Sequence, residues 1–210
     1  MCKRKWFFIL FTILSLIGCK NDLAKRLDLV EIDEKWRNGD LIEAKAAIDT
    51  YLDQEPENEL AWTMLGHIES DFDSDSLAII AYENALELNP KTVEAITGMG
   101  IIFRKKGEYE KASEYYYHAI SIDPEYAEAY SSLVVINLKR RKFEEAVNVG
   151  LKGYELDKKD GTIAANLAAS YHFMNDTVQR EKYFDIAQKN GYRNAESLRK
   201  IFEGELTIFD

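Results

Sequence analysis

Residues 93–126 read VEAITGMGIIFRKKGEYEKASEYYYHAISIDPEY, two amphipathic runs that meet at a turn around Gly107 and close at Pro124. The landmarks of this stretch recur before and after it at a spacing of 34 residues. The chain has three prolines, at positions 56, 90 and 124, and alanine recurs at the same interval at positions 44, 78, 112 and 146. A fixed period of this length indicates an array of helix–turn–helix units, and therefore an all-α solenoid.

Composition is consistent with a helical array and argues against nucleic acid as a partner. Of the 210 residues, 46% are apolar and 30% charged, and the low counts of Gly (11) and Pro (3) disfavour a sandwich or barrel with many turns. The formal net charge is −10, and it would become −13 if residues 1–18, which hold three basic residues and no acid, were removed. Such a surface repels phosphate backbones, so we expect no nucleic-acid partner.

The N-terminus has the organisation of a secretory signal. Lys3-Arg4-Lys5 precede an apolar run of 12 residues, WFFILFTILSLI, and this run is shorter than the roughly 18 residues that a membrane-spanning helix needs. It ends at Leu16-Ile17-Gly18-Cys19, which resembles the lipobox of bacterial lipoproteins. The resemblance implies cleavage before Cys19 and acylation of its thiol and new amino group. The alternative is an ordinary signal anchor in which the cysteine stands by chance.

The lipoprotein resemblance also implies a location. Residues 1–18 would be the signal peptide and residues 19–24 the lipidated cysteine with a short tether, which places the protein outside the cytoplasm in a bacterial cell envelope. Lys20, rather than an acid, follows Cys19, so the outer membrane is favoured over the inner where there are two. Several acyl chains anchor a protein without any spanning helix.

Residues 25–194 resemble the tetratricopeptide repeat (TPR) family, in which a large residue, Leu-Gly, an aromatic, a Gly turn, Ala, an aromatic, Ala and Pro follow in order. The central repeat matches this pattern at Ile96, Met99-Gly100, Phe103, Gly107, Ala112, Tyr116, Ala119 and Pro124. The resemblance implies a right-handed α-solenoid of about five repeats, at 25–58, 59–92, 93–126, 127–160 and 161–194. Small residues in such repeats stand where paired helices approach closely.

The last two repeats depart from the pattern. In the fourth, Gly150, Gly153 and Lys158 replace the aromatic, the second Ala and the Pro. In the fifth, Arg180 stands at the small-residue position, so looser packing of the last helix pair is expected there. After Asn194, the segment AESLRKIF carries Leu198, Ile201 and Phe202 on one helical face. Residues 195–210 are therefore predicted to be a capping helix and tail.

In the TPR family the first helix of each repeat lines a concave groove that binds peptides or helices. The resemblance places partner-binding residues at Thr63, His67, Thr97, Ile101, Arg104, Ser131, Val135, Leu138, Ala169 and His172, with Ser70 and Ala165 beside them. This floor is small and apolar, which suits an apolar helix face or an extended segment more than a highly charged ligand. The Lys, Asn and Arg pattern of the family's carboxylate clamp is not matched. The alternative is that these residues only complete the fold.

Two turns carry clustered positive charge. Lys105 and Lys106 follow one first helix, and Lys139, Arg140, Arg141 and Lys142 follow the next, so stacking would bring them to one edge. The corresponding turn before them is acidic, with Glu69, Asp71, Asp73 and Asp75. Such an edge could dock an anionic partner or lipid headgroups. We favour the alternative of solvated turns with offsetting charges, because exposed ion pairs contribute little.

Nothing in the sequence indicates catalysis. The three histidines lie at different points of different repeats, and neither a phosphate-binding Gly-rich loop nor a serine-nucleophile motif is present. The acidic turn lacks the Gly and Glu of a calcium loop. We therefore predict no enzyme activity, no cofactor and no metal site.

Together these features predict a membrane-anchored TPR lipoprotein that acts as a protein–protein interaction adaptor or scaffold in an envelope complex. The alternative is a subunit that binds a glycan or small ligand. That alternative predicts aromatic rings along the groove, whose positions are mostly aliphatic.

Overall fold

The computed structural model describes residues 28–206, and all regular structure within this range is helical. Cys19 lies outside the described residues, as do the other residues of 1–27 and 207–210. The described range, residues 28–206, contains eleven helices. The first, α1, comprises residues 28–38, and the others are α2 (Leu41–Gln54), α3 (Glu59–Asp71), α4 (Asp75–Leu88), α5 (Val93–Lys105), α6 (Tyr109–Ile122), α7 (Ala127–Lys139), α8 (Phe143–Leu156), α9 (Gly161–Phe173), α10 (Thr177–Lys189) and α11 (Ala195–Phe202). The predicted all-α repeat architecture is confirmed.

The sequence period is the period of the helices. The first helices of the repeats begin at Glu59, Val93, Ala127 and Gly161, each 34 residues after the one before. The second helices begin at residues 41, 75, 109, 143 and 177, with the same spacing. Local signals start some of them: the Asn58 side chain accepts from the N–H groups of Leu60 and Ala61, and the Asp160 side chain from those of Thr162 and Ile163.

The turn inside each repeat depends on one residue in the left-handed region. Gly39 and Gly107 hold this place with φ of 87° and 76°, as a glycine readily does. At the matching positions of the other repeats the residues are Asp73, Arg141 and Asn175, with φ of 55°, 59° and 59°. The turn therefore persists where the sequence has no glycine to mark it.

The turn between repeats also keeps its backbone conformation where the proline is absent. Asn89 and Asp123 precede prolines and are extended, as the residue before proline generally is. Asp157 is followed by Lys158, yet it is also extended, with φ −134° and ψ 95°. Its carboxylate accepts from the N–H of Lys159 at 2.9 Å, a local turn bond that holds the same shape.

The chain divides after Pro90 into two compact units. In the first unit α1, α2 and α3 share a core that contains Ile32, Ala44, Ile48, Ala61 and Ile68. Helix α4 packs closely on α3, because a Cβ atom added at Gly66 would lie 2.4 Å from Cε1 of Tyr82. The recurring spacing of small and large residues within the repeat thus sets the distance between its two helices.

In the second unit each helix from α5 to α11 contacts the next or the one after it. Contacts join the paired helices of each repeat, and further contacts join α5 to α7, α7 to α9 and α9 to α11. The first helices are therefore neighbours, and we call the surface that α5, α7 and α9 form together the first-helix surface. Within residues 28–206, none of the helices combines the length and the apolar character needed to cross a bilayer.

Candidate protein-interaction surface

The first-helix surface holds most of the residues that sequence reasoning assigned to a groove, but it exposes only some of them. Ile101, Ser131 and Val135 are partly exposed. Thr97 and Leu138 are only 2% and 5% exposed, and Ala165 and Ala169 are similarly buried. Fewer of the predicted groove residues therefore face solvent than the sequence suggested.

A cleft of about 460 Å³ opens on this surface between α7, α9 and α11. Its apolar lining combines four predicted groove positions with two residues of α11: Val135, Leu138, Ala165, Ala169, Leu198 and Ile201. Its polar lining consists of Lys139, Asn166, Tyr192, Asn194 and Ser197. This volume falls within the range of pockets that hold small ligands or short peptide segments.

Helix α11 is held in place by its apolar face. Leu198 is buried, and the Phe202 ring lies 5.0 Å from the ring of His172 on α9 and 5.4 Å from that of Phe184 on α10. The last repeat is thus covered, and one end of the first-helix surface acquires a wall. Because His172 packs beneath Phe202, it does not lie on an open groove floor.

Arg180 does not loosen the last helix pair, contrary to the expectation from sequence. Phe184 and Ala187, on the same helix, are fully buried. The guanidinium group reaches outward instead, 5.2 Å from the centre of the Phe202 ring and 2.6 Å from the Glu181 carboxylate. The long side chain is tolerated because it packs against α11, so its charge stays at the surface.

Burial lowers the pKa of His172, and the nearby positive charge of Arg180 lowers it further. Both causes disfavour the protonated imidazole. The ring also lies 5.0 Å from Phe173, so it is packed between aromatic groups. His172 is therefore mainly a neutral packing residue at the base of α11.

The two predicted groove residues of the first unit are engaged within it. The Thr63 hydroxyl donates to the carbonyl of Glu59 at 2.8 Å. The His67 ring stacks on Trp36 with a centroid distance of 5.4 Å, and its Nδ1 lies 2.9 Å from the Tyr82 hydroxyl. His67 therefore joins α1, α3 and α4, while the Thr63 hydroxyl is satisfied within α3 itself.

Arg104 and Tyr116 lie side by side with buried polar atoms that have no hydrogen-bond partner. These atoms are Nε of Arg104 and the hydroxyl of Tyr116, and the hydroxyl of Thr97 is also unpartnered. Ser132 and Arg104 lie close to the Tyr116 hydroxyl without the geometry of a hydrogen bond, so burial raises the pKa of Tyr116 and these two neighbours lower it. A fully buried, unpaired donor is unusual and costly in a folded protein.

The charged turns are partly paired within the chain. Arg140 meets the Glu110 carboxylate at 2.7 Å, so the turn after α7 lies against the start of α6. Lys106 lies 5.9 Å from the centre of the Phe103 ring. In the acidic turn, Glu69 is only 4% exposed and pairs with Lys45 at 2.8 Å, while Asp71 accepts from the Trp36 indole N–H at 2.7 Å. Local partners thus account for several of these charges.

No group of three or more His, Cys, Asp or Glu side chains within the described part of the chain could hold a metal ion. The polar residues that sequence reasoning missed in the cleft are Asn166, Tyr192, Asn194 and Ser197. A signal for two of them existed, since Asn194, Ser197 and Ile201 recur at helical spacing around the face of α11. That face was assigned to capping alone, although it serves the cleft as well.

Paired helices with a 34-residue period and neighbouring first helices define a repeat scaffold for protein–protein interaction. The chain belongs to the TPR family described as "Cytochrome c-type biogenesis protein H TPR domain", which matches residues 20–150. The predicted TPR membership is confirmed.

Solved TPR structures resemble the fold over most of its length. Pseudomonas aeruginosa PilF is 21% identical with a TM-score of 0.74, and the match covers 87% of this chain and 86% of PilF. PilW, described as a widely conserved type IV pilus biogenesis factor, is 19% identical with a TM-score of 0.74 and 87% coverage of both chains. YrrB, described as a TPR protein with an unusual peptide-binding site, is 16% identical with a TM-score of 0.57, covering 80% of this chain and 88% of YrrB.

Curated relatives match only in part. The general transcriptional corepressor trfA of Dictyostelium discoideum is 40% identical over 58 residues, which is 28% of this chain and 4% of the relative. Peroxisome biogenesis protein 5 of Arabidopsis thaliana is 32% identical over 85 residues, 40% of this chain and 12% of the relative. The chain therefore spans a small part of the length of both proteins, and the similarity concerns the repeats.

Proposed function

We propose that this chain is an adaptor that recruits a partner protein to a membrane surface in a bacterial envelope complex. The first-helix surface of α5, α7 and α9 binds a segment of the partner, and a lipid on Cys19 holds the adaptor at the membrane. The observation that carries the proposal is the cleft of about 460 Å³, which opens on this surface and has an apolar floor. Apolar surface that remains open in a folded protein is typical of a binding site.

The lining favours a protein ligand over a glycan. Two of the partly exposed positions of the first-helix surface, Ile101 and Val135, are aliphatic, and Tyr192 is the one aromatic residue among the cleft lining. The rings nearby stack on each other: Phe143 lies on Phe173 at 5.2 Å, and Tyr171 on Tyr183 at 5.6 Å. Sugar binding usually needs aromatic faces that are open to the ligand, whereas aliphatic floors suit apolar side chains.

The envelope location rests on the lipobox-like sequence before Cys19. The similarity of fold to PilW, which is described as a pilus biogenesis factor, agrees with such a place without identifying the complex. If the outer membrane is the site, the tether of residues 19–24 keeps the repeats close to the bilayer. The adaptor then presents its binding surface to proteins near that membrane.

Site-specific photocrosslinking tests the binding surface. A photoreactive amino acid at position 135, whose side chain is partly exposed in the cleft, should capture a specific protein in native membranes. In the chain that carries the crosslinker, Ile101→Asp and, separately, Ile201→Asp should reduce capture, because a carboxylate on an apolar binding surface carries a desolvation cost. The matched control is Asn148→Asp, at an exposed position of α8. Undiminished capture by both binding-surface variants, with helicity intact, would show that the partner binds elsewhere.

Labelling with a fatty acid tests the anchor. Cys19→Ala should abolish incorporation of labelled palmitate and release the protein from membranes, whereas Cys2→Ala should change neither. The two substitutions remove the same side chain, and only one of them falls at the lipobox. Labelling that persists in Cys19→Ala contradicts the lipoprotein assignment.

A further inference from the structure

Lys139 belongs to two features that the sequence presents separately. It is the last residue of α7 and begins the basic turn 139–142, and it also lines the cleft beside Val135 and Leu138. The basic turn and the apolar floor are therefore parts of one surface. The connection arises because the last turn of α7 faces the same cleft as residues of α9 and α11.

The cleft differs in charge from the protein around it. The chain has 37 acidic and 27 basic residues, yet none of the described residues that line the cleft is Asp or Glu. Its polar members are one lysine and four neutral groups that can both donate and accept hydrogen bonds, from Asn166, Tyr192, Asn194 and Ser197. An acidic ligand is thus disfavoured by the net charge of the molecule, but it meets no carboxylate among the described residues that line the cleft.

We propose that this cleft binds an apolar segment of the partner that is flanked by acidic residues. The inference rests on the proposed adaptor function and specifies the chemistry of the partner. An apolar side chain enters between Val135, Ala169 and Ile201, and the flanking carboxylates face Lys139 and the basic turn after it. The neutral amides of Asn166 and Asn194 are suited to the peptide groups of an extended chain.

Helix α11 makes this site a cleft rather than an open trough. Ile201 and Ser197 supply the wall opposite α7, while Leu198 is buried and Phe202 fixes the helix on α9 and α10. A walled cleft restricts the length and orientation of the bound segment, which selects among apolar sequences. The helix after the last repeat is therefore part of the recognition site as well as a cap.

A blocked fluorescent heptapeptide, EDLFLED with an amidated C-terminus, is the direct probe. Fluorescence anisotropy with the protein should show saturable binding that weakens as NaCl is raised from about 0.05 to 0.5 M, because the contacts to Lys139 and the turn are screened. The basic analogue KKLFLKK and the polar analogue EDSGSED should each bind at least ~10-fold more weakly. Blocking the termini removes any contribution from a terminal carboxylate.

Two matched pairs of variants locate the binding. Ser197→Trp fills the cleft from α11, whereas Glu196→Trp places the same ring on an exposed position outside the lining. Lys139→Gln removes the charge in the cleft, and Lys152→Gln removes an exposed charge on α8 that lies outside both the cleft lining and the basic turn. We expect Ser197→Trp and Lys139→Gln to weaken EDLFLED binding by about 10-fold or more and the partner variants by less than about 3-fold.

The results separate this inference from the adaptor function. Binding of EDLFLED that survives Ser197→Trp, or equal binding of KKLFLKK, overturns the inference. So does the absence of saturable binding by EDLFLED. If the membrane partner is still captured through position 135 while Ser197→Trp has no effect on that capture, the adaptor function stands and the recognition site does not include α11. Circular dichroism of each variant confirms that helix content is unchanged.

Discussion

Gly150 on α8 packs against Val134 on α7. At the equivalent contact one repeat earlier, Tyr116 on α6 packs against Gly100 on α5, so the large and the small residue are exchanged between the two helices. A Cβ at Gly100 would lie 2.7 Å from Cε1 of Tyr116, and a Cβ at Gly150 would lie 3.1 Å from Cγ2 of Val134. Leu167 fills the remaining space, with Cδ2 2.8 Å from the Cβ position of Gly150. The paired helices keep their close approach with the small residue on the other helix, because Val134 and Leu167 both pack against Gly150.

Gly100→Ala should destabilise the protein by about 2 kcal/mol, because the new methyl group would overlap the Tyr116 ring and overpack the contact. Urea unfolding followed by far-ultraviolet circular dichroism measures the change. Tyr116→Leu alone should also destabilise, by leaving a cavity. In the double variant the two costs should partly cancel. Strict additivity would show that the two positions do not share the contact.

The fold was predictable from sequence because the residues that define its helix contacts and turns recur at a fixed period. Small residues at each helix contact repeat every 34 residues, and so do the helix starts that the structure shows. The exceptions at Gly150 and Lys158 were recognised but not explained. Val134 and Leu167 compensate for the missing aromatic ring at Gly150, and the Asp157 side chain holds the turn where Lys158 replaces proline. A sequence pattern that is read one position at a time does not relate these residues to each other.

The binding surface was only partly predictable. Family positions identify which residues face the first-helix side, but they do not say which are covered. Leu138 and Ala169 are buried, and His172 lies beneath Phe202, because α11 packs over the end of the array. The position of a helix beyond the last repeat follows from tertiary packing, which the repeat pattern does not encode.

Arg141→Gly should stabilise the protein by about 0.5–1 kcal/mol, since Arg141 has φ of 59° and glycine adopts this conformation without a steric cost. The matched control is Gly107→Ala at the equivalent turn, where φ is 76° and no atom lies within 4 Å of a Cβ. That variant should lose about 1 kcal/mol through the backbone alone. Thermal and urea unfolding measure both. A less stable Arg141→Gly would mean that the contacts of the arginine outweigh its backbone strain.

Lys45→Met should destabilise the first unit by about 2–4 kcal/mol, because it leaves the buried carboxylate of Glu69 without the ammonium group that lies 2.8 Å away. The double variant Lys45→Met with Glu69→Leu should recover most of the loss, since no charge then remains buried. Unfolding in urea at pH 7 provides the comparison. If the double variant is as unstable as the single one, packing rather than the unpaired charge explains the effect.

Tyr116→Phe should stabilise the protein by about 1 kcal/mol, because it removes a buried hydroxyl that has no hydrogen-bond partner. Tyr82 occupies the same place one repeat earlier, and its hydroxyl lies 2.9 Å from Nδ1 of His67. Tyr82→Phe should therefore lose about 1 kcal/mol through the same chemical change. The free energies of unfolding of the two variants test both predictions. A loss for both would indicate that the Tyr116 hydroxyl is also satisfied, for example by water.

Stability near α11 should depend on pH through His172. Because burial and Arg180 lower its pKa in the folded state, the unfolded chain takes up the proton first, near the ordinary value of about 6.5. The contribution of neutral His172 is complete above that pH and is lost as pH falls toward the lowered pKa, with a slope of at most about 1.4 kcal/mol per pH unit. His172→Gln should flatten the curve below about pH 6.5. Phe202→Leu, which removes the ring 5.0 Å away, should flatten it partly by exposing the imidazole to water. Urea unfolding at half-unit pH steps measures these slopes, and identical slopes in all three proteins would rule out His172 as their source.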